Sequence, residues 1–182
     1  LRHIEQLIQQ NYIAKLSEKN ARLTALEAQL NPHFLYNTLQ AISTEALIND
    51  QFTIHRMITS LASNLRYTIK GGDLVPLKSE VQYLSDYIYL LKMRMNDALV
   101  FNIDTEPELD DYMIPKISLQ ALVENSIIHG KSTNKESIEI KVTLTRLPND
   151  RLQISVYDNG CGISQEQQNK LYQDFESALT AK

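Results

Sequence analysis

Apolar residues recur at helical spacing through the first 48 positions without a glycine, which predicts one long helix over residues 1–48. Ile13, Leu16, Leu23 and Leu30 fall on a and d positions of a heptad, and polar Asn20 takes an a position. Leu1, Ile4 and Ile8 do not continue that register, so a phase shift is expected near residues 9–12. So narrow a stripe buries little unless a second helix lies against it, and a parallel dimer is expected, with Asn20 setting register and oligomer state. Beyond Pro32, the residues Leu35, Leu39, Ile42 and Ala46 keep an apolar face. Asn49-Asp50 reads as a turn. A second helix carries Ile54, Met57, Ile58, Leu61, Leu65 and Ile69 and is stopped by Gly71-Gly72. Two such hairpins would form a four-helix bundle. A third helix is expected over residues 78–95, with Val81, Leu84, Ile88, Leu91 and Met95 on one side and Ser79 as its cap.

The period then changes. Leu99, Phe101 and Ile103 alternate with Val100, Asn102 and Asp104, as in a strand. Pro115 precedes a helix over residues 116–128, closed by Gly130. Ile138, Ile140, Val142 and Leu144 alternate with polar residues, as do Leu152, Ile154 and Val156, and Pro148-Asn149-Asp150 between them makes a hairpin turn. A short polar helix ends the chain.

Composition narrows the class. The 182 residues are 43% hydrophobic, enough for one or two compact domains. Net charge is −4, from 18 Lys+Arg against 22 Asp+Glu, so there is no basic field to attract nucleic acid. Cys161, the single cysteine, excludes an intramolecular disulfide framework and fits a reducing compartment. No apolar run reaches the length of a membrane span and no signal peptide opens the chain. Because Leu1 rather than a methionine enters directly into helical pattern, the chain is expected to be a fragment of something longer.

Three clusters carry candidate chemistry. Pro32-His33 lies inside the predicted long helix, where proline costs roughly 3 kcal/mol, so a kink beside an ionisable imidazole is expected. His33 and Asn37 share a helix face; the amide could bond one ring nitrogen, fix the tautomer and leave the other nitrogen as nucleophile. Phe34 and Tyr36 lie on other faces and read as packing residues. In the second cluster, Glu124, Asn125 and His129 stand among apolar residues of one helix. An amide oxygen such as that of Asn125 suits Mg2+, which keeps most of its waters and shares substrate phosphates, and Glu124 could hold a metal-bound water. In the third, Asp158 ends a strand before Asn159-Gly160-Cys161-Gly162. A carboxylate there accepts from the exocyclic amine of adenine and opposes the carbonyl of guanine. The glycines allow positive φ and close approach of a ligand. No Walker loop occurs.

Each cluster alone is weak: a kinked core helix, a solvated polar pair and a plain turn would explain them separately. His3 and His55 have no partners at ligand spacing and read as structural or solvated; no His/Cys cluster suggests zinc. Cys161 reads as a small turn residue, and Glu106, Glu108, Asp110 and Asp111 as a solvated loop.

In their order along one chain, the clusters resemble the sensor histidine kinases of the LytS/YesM type, whose ATP-binding part is shared with gyrase and MutL. The resemblance covers roughly residues 20–165. It implies that His33 is the phosphorylated residue and that Glu124-Asn125 with His129-Gly130 is the magnesium-binding N box, Asn125 being the metal ligand. It makes Asp158 through Gly162 the first glycine box. Arg66-Tyr67, Glu80, Tyr87 and Arg94 also look like family positions. The implied fold is α+β: a coiled coil and helical-hairpin dimerisation bundle over residues 1–75, then an incomplete α/β-sandwich ATP-binding domain over residues 76–182. The implied cofactors are ATP and Mg2+. The implied partners are a second copy, a response-regulator receiver domain and an upstream membrane sensor or linker segment of the same chain, with no nucleic acid. The implied location is the cytoplasmic side of a bacterial cell membrane.

The chain departs from the family pattern in three places. Phe34 stands where common histidine kinases carry an acidic proton acceptor, as is usual in this subfamily, so the general base is not identified. Ile128 stands where many kinases have a lysine, leaving one phosphate contact absent or supplied by Lys131. No second glycine box occurs before Lys182, so the fragment alone is expected to be inactive or weakly active. These departures support a rival reading, a non-enzymatic dimerisation scaffold or nucleotide-binding switch. His33, Asn37, Asn125 and Asp158 together argue for phosphoryl transfer. A third reading, an ATPase using Glu124 to activate water, leaves the histidine cluster unexplained.

Overall fold

A computed structural model of the chain describes residues 31–69, 72–130 and 137–180. The expected coiled coil with its phase shift and Asn20 lies outside these residues. The chain divides into two compact units, Leu1–Lys70 and Gly71–Lys182.

The first unit contains a helical hairpin, α1 (Pro32–Ile48) and α2 (Phe52–Ile69). Pro32 does not sit inside a longer helix. It occupies the first turn of α1, after Asn31, whose φ of 40° and ψ of 73° leave the right-handed helical region. The Asn31 side chain accepts from the Phe34 N–H at 3.2 Å and caps the helix. The first N–H groups of a helix have no intrahelical partner, so a proline there loses nothing. The expected kink is therefore a helix start, and the 3 kcal/mol cost of an interior proline does not arise.

At the other end of α1, Asp50 turns the chain with φ 55° and the Gln51 N–H reaches the Ala46 carbonyl at 2.8 Å. The two helices pack closely, and small buried residues, Ser43 and Ala46 on α1 and Ser60 and Ala62 on α2, mark their least accessible positions. A polar link joins them. His55 Nδ1 lies 2.9 Å from the Ser43 carbonyl oxygen and 2.9 Å from Ser43 Oγ, which in turn is 3.1 Å from Thr59 Oγ1. A carbonyl can only accept, so Nδ1 carries the proton, and His55 is structural. Leu35, Ile42, Ile54 and Leu61 remain exposed on the hairpin.

The second unit places helices over a small sheet. Strand β1 (Leu74–Pro76) pairs antiparallel with β3 (Met113–Pro115). Helix α3 (Leu77–Met95) follows β1 directly, so Ser79 is not its cap. The N–H groups of Leu77 and Lys78 are satisfied instead by the carbonyls of Tyr112 and Asp110, at 2.7 and 3.0 Å. The loop carrying the acidic run thus closes the helix through its backbone while Asp111 pairs with Lys78 at 3.0 Å.

Strands β2 (Leu99–Asp104), β4 (Ile138–Leu147) and β5 (Arg151–Asp158) form the main sheet in the order β2-β4-β5. β2 is parallel to β4, and α4 (Ser118–Gly130) lies in the crossover between them; β4 and β5 form the expected antiparallel hairpin. Ile138, Ile140, Val142 and Leu144 of β4 are buried, with Leu84, Ile88 and Leu91 of α3 and Leu119, Val123 and Ile127 of α4. That alternation is the sheet period of two meeting two helix stripes. At the hairpin tip Asn149 and Asp150 have φ of 65° and 59°, and Asp150 accepts from Tyr112 Oη and from Arg146 Nη2. The closing helix α5 (Gln165–Thr180) is longer than a short tail, and its Leu171 and Tyr172 are exposed.

Candidate functional site

His33 is the second residue of α1 and its ring is exposed. One turn on, Asn37 Nδ2 lies 3.3 Å from His33 Nδ1 and 3.4 Å from Nε2. Both separations are long for a hydrogen bond and nearly equal, so the amide touches the ring without selecting a nitrogen. The expected choice of tautomer by Asn37 is not what the geometry gives; either nitrogen stays open to a reacting group. Tyr36 does more than pack: the Arg66 guanidinium from α2 stands 4.1 Å over its ring, a cation–π contact that holds a positive charge one turn from His33. Phe34 is 63% exposed and packs against little.

In the second unit the position of α4 begins with Glu80. This carboxylate is fully buried and accepts from the Ile117 N–H at 2.6 Å and the Leu119 N–H at 3.2 Å. Negative charge at a helix N-terminus is favourable, and here it also holds Ile117 at φ 65°, a conformation a β-branched residue rarely adopts. The expected helix start at residue 116 is delayed to Ser118 by that turn.

Along α4, Leu119, Val123, Ser126 and Ile127 are buried, Glu124 is half-buried and Asn125 is exposed. Leu122 and Ile128 flank Asn125 on the solvent side. Glu124 Oε1 accepts from Tyr87 Oη at 2.7 Å and from Gln120 Nε2 at 2.7 Å, and Gln120 Oε1 in turn accepts from Tyr83 Oη. Burial, and then the hydrogen bond to Glu124, push the Tyr87 hydroxyl far above the usual tyrosine range. His129 lies in the last turn of α4; its side chain and all of Lys131 are outside the described residues.

Helix α4 packs against β4 and β5, so the Glu124-Asn125 pair and the end of β5 belong to the same layered unit. Asp158 is half-buried, and its Oδ1 accepts from the Gly160 N–H at 2.9 Å. Asn159 prolongs the sheet: its Oδ1 accepts from the Glu139 N–H at 3.0 Å and its Nδ2 donates to the Ser137 carbonyl at 3.1 Å. Of the two glycines only Gly162 uses its conformational freedom, with φ 69° and open space around it. Gly160 serves through its N–H. Cys161 is exposed and its thiol points to the Gly162 carbonyl at 3.6 Å, as a small turn residue would.

His33 and Asn37 are in contact, Glu124 and Asn125 adjoin on α4, and Asp158, Gly160 and Gly162 share one turn. His33 lies in the first unit and the other two groups in the second. The sequence reading missed Gln120 and Tyr83, and gave Asn159 a place in the turn but no partners. Gln120 had a signal, since it stands four residues before Glu124 and so shares its face. Tyr83 and Tyr87 are likewise four apart on α3, but nothing local says that their hydroxyls reach another helix.

A Mg2+ ion fits the donor set, though not as a protein-built cage. Among the described residues no three His, Cys, Asp or Glu side chains gather into a metal cluster. One exposed amide oxygen beside one carboxylate suits an ion that keeps waters and takes its other ligands from substrate phosphates.

Comparison with known proteins gives two family matches in succession. Residues 21–99 match the family described as histidine kinase, and residues 111–182 match the family described as histidine kinase-, DNA gyrase B-, and HSP90-like ATPase. The sensor histidine kinase YesM of Bacillus subtilis is 34% identical over 164 residues, which is 90% of this chain and 28% of YesM. The sensor protein kinase HptS of Staphylococcus aureus is 32% identical over 161 residues, 88% of this chain and 30% of HptS. The chain thus spans less than a third of either relative's length. Among solved structures, the histidine kinase domain of a blue-light-activated kinase from Erythrobacter litoralis aligns over 75% of each chain at 14% identity, with a TM-score of 0.42.

Proposed function

The chain belongs to the sensor histidine kinases, and on that premise we propose that it is the catalytic core of one, in which ATP phosphorylates His33 and the phosphoryl group then passes to an aspartate of a response-regulator receiver domain. One observation carries the reading. An exposed imidazole, with Asn37 one turn on touching its ring, opens a helix in the part of the chain that matches the histidine kinase family. A scaffold has no use for that arrangement.

The roles follow from chemistry. A ring nitrogen of His33 attacks the γ-phosphorus in line, forming an N–P bond as the bond to the ADP leaving oxygen breaks. Little covalent work falls to the protein, so positioning and charge neutralisation carry the rate. Asn37 restrains the ring, and Arg66, anchored on Tyr36, supplies nearby positive charge. Asp158 reads the adenine amine with the oxygen that Gly160 leaves open. Gly160 and Gly162 shape the turn beside the nucleotide. Asn125 would hold Mg2+ and Glu124 one of its waters, with His129 and Lys131 near the phosphates; bound Mg2+ neutralises phosphate charge.

The exposed apolar positions of the hairpin, Leu35, Ile42, Ile54 and Leu61, fit a second copy of the chain, which would complete a four-helix bundle. Among the described residues no helix is long and apolar enough to cross a membrane. We place the membrane sensor in the part of the whole protein that precedes this core, and the core itself on the cytoplasmic side.

The test uses the full-length kinase. ATP with Mg2+ should give an acid-labile, base-stable phosphate, because a phosphoramidate hydrolyses once its imidazole is protonated. His33→Gln should abolish the label and leave ATP binding intact. Phosphate mapped to His55, His129 or a hydroxyl residue, with His33 unmodified, would sink the assignment.

A further inference from the structure

The Glu124 carboxylate is held unsymmetrically. Both of its side-chain donors, Tyr87 Oη and Gln120 Nε2, converge on Oε1 at 2.7 Å each, while Oε2 accepts nothing from any described residue. The donors come from different helices, so the carboxylate is clamped across the α3–α4 contact rather than along one helix. Tyr83 supplies the third element. The Glu124 carboxylate turns the Gln120 amide nitrogen towards itself, and Tyr83 holds that orientation from the other side by donating to Gln120 Oε1. The reversed amide would set its oxygen against the Glu124 carboxylate, which can only accept.

The last torsion of a glutamate is soft and broad, so the plane of an unrestrained carboxylate turns freely. Loading both hydrogen bonds on one oxygen removes that freedom. We propose that Tyr87 and Gln120 are positioning residues for the kinase reaction, pinning Glu124 Oε1 so that Oε2 alone faces the metal-bound water of the nucleotide site. The proposal rests on the reading of Glu124 given above, and neither residue touches substrate in it.

The experiment measures autophosphorylation of the full-length kinase with Tyr87→Phe, Gln120→Met, Glu124→Gln and the pairs Tyr87→Phe/Glu124→Gln and Gln120→Met/Glu124→Gln. Each single positioning variant should lower kcat by about 10- to 100-fold, the usual cost of losing an outer partner in a metal site, with KM for ATP and the calorimetric Kd of ATP both unchanged. In the Glu124→Gln background the same two changes should have no further effect, because the oxygen they aim no longer does its work. A residue that merely supports the fold would lower the rate equally in both backgrounds. That equality would overturn the proposal. So would a loss carried by KM, or wild-type kcat in both single variants while Glu124→Gln is impaired. Wild-type kcat in Glu124→Gln would instead remove Glu124 from the site, and this proposal with it. Two independent variants keep the test decisive if one of them fails to fold.

Discussion

Glu80→Ala isolates the contact that sets the start of α4. In the native chain two backbone N–H groups, those of Ile117 and Leu119, donate to a carboxylate with no exposure to solvent. Removing it leaves both donors without that acceptor, at about 1–3 kcal/mol each and so roughly 2–6 kcal/mol together. Part of this returns, because Ile117 is then released from its left-handed conformation, which costs on the order of 1–3 kcal/mol to hold. The expected net loss is roughly 2 kcal/mol. For a chain of this size that corresponds to a fall in Tm of roughly 4–8 °C. Thermal and urea unfolding followed by far-UV circular dichroism reads it directly. Glu80→Gln, which keeps one accepting oxygen and loses the charge, should fall between wild type and alanine. A loss below about 0.5 kcal/mol in Glu80→Ala, the range of an ordinary surface substitution, would refute the reasoning.

The remaining expectations concern nucleotide, pH and assembly. Asp158→Asn should weaken ATP binding to the complete catalytic domain by about 1–3 kcal/mol, and unchanged affinity with the fold preserved would remove Asp158 from the adenine site. The Asp150 carboxyl is held below the usual aspartate range by the Tyr112 hydroxyl and by Arg146. A depressed carboxylate stabilises the fold above its unfolded pKa, so this contribution is lost as pH falls below 3.8. Tyr112→Phe should flatten the acid limb of the stability–pH curve, and an unaltered limb would contradict the coupling. Light scattering should give a dimeric mass at micromolar concentration, and Ile42→Glu should lower it to that of a monomer; a monomeric wild type would contradict the four-helix bundle.

The local pattern determined a large part of this protein. Alternation at Ile138, Ile140, Val142 and Leu144 announced the buried strand, helical spacing announced both hairpin helices and the third helix, and the His33–Asn37 interval announced a shared face. These features are visible because each depends only on the period of a single element, two for a strand and 3.6 for a helix. The start of α1 was misread for a related reason. Apolar spacing runs unbroken past Pro32, and periodicity carries no information about the φ of Asn31, whose left-handed backbone caps the start of α1. Only tertiary structure decided the rest. The loop at Tyr112 and Asp110 replaces Ser79 as the cap of α3, Glu80 sets the first turn of α4, and Tyr87 and Gln120 settle the carboxylate of Glu124. Glu80–Ile117 and Tyr87–Glu124 each span 37 residues of sequence. Whether such side chains meet depends on the rotation and distance at which two helices dock, which follows from the packing of the whole core and from no single segment of it.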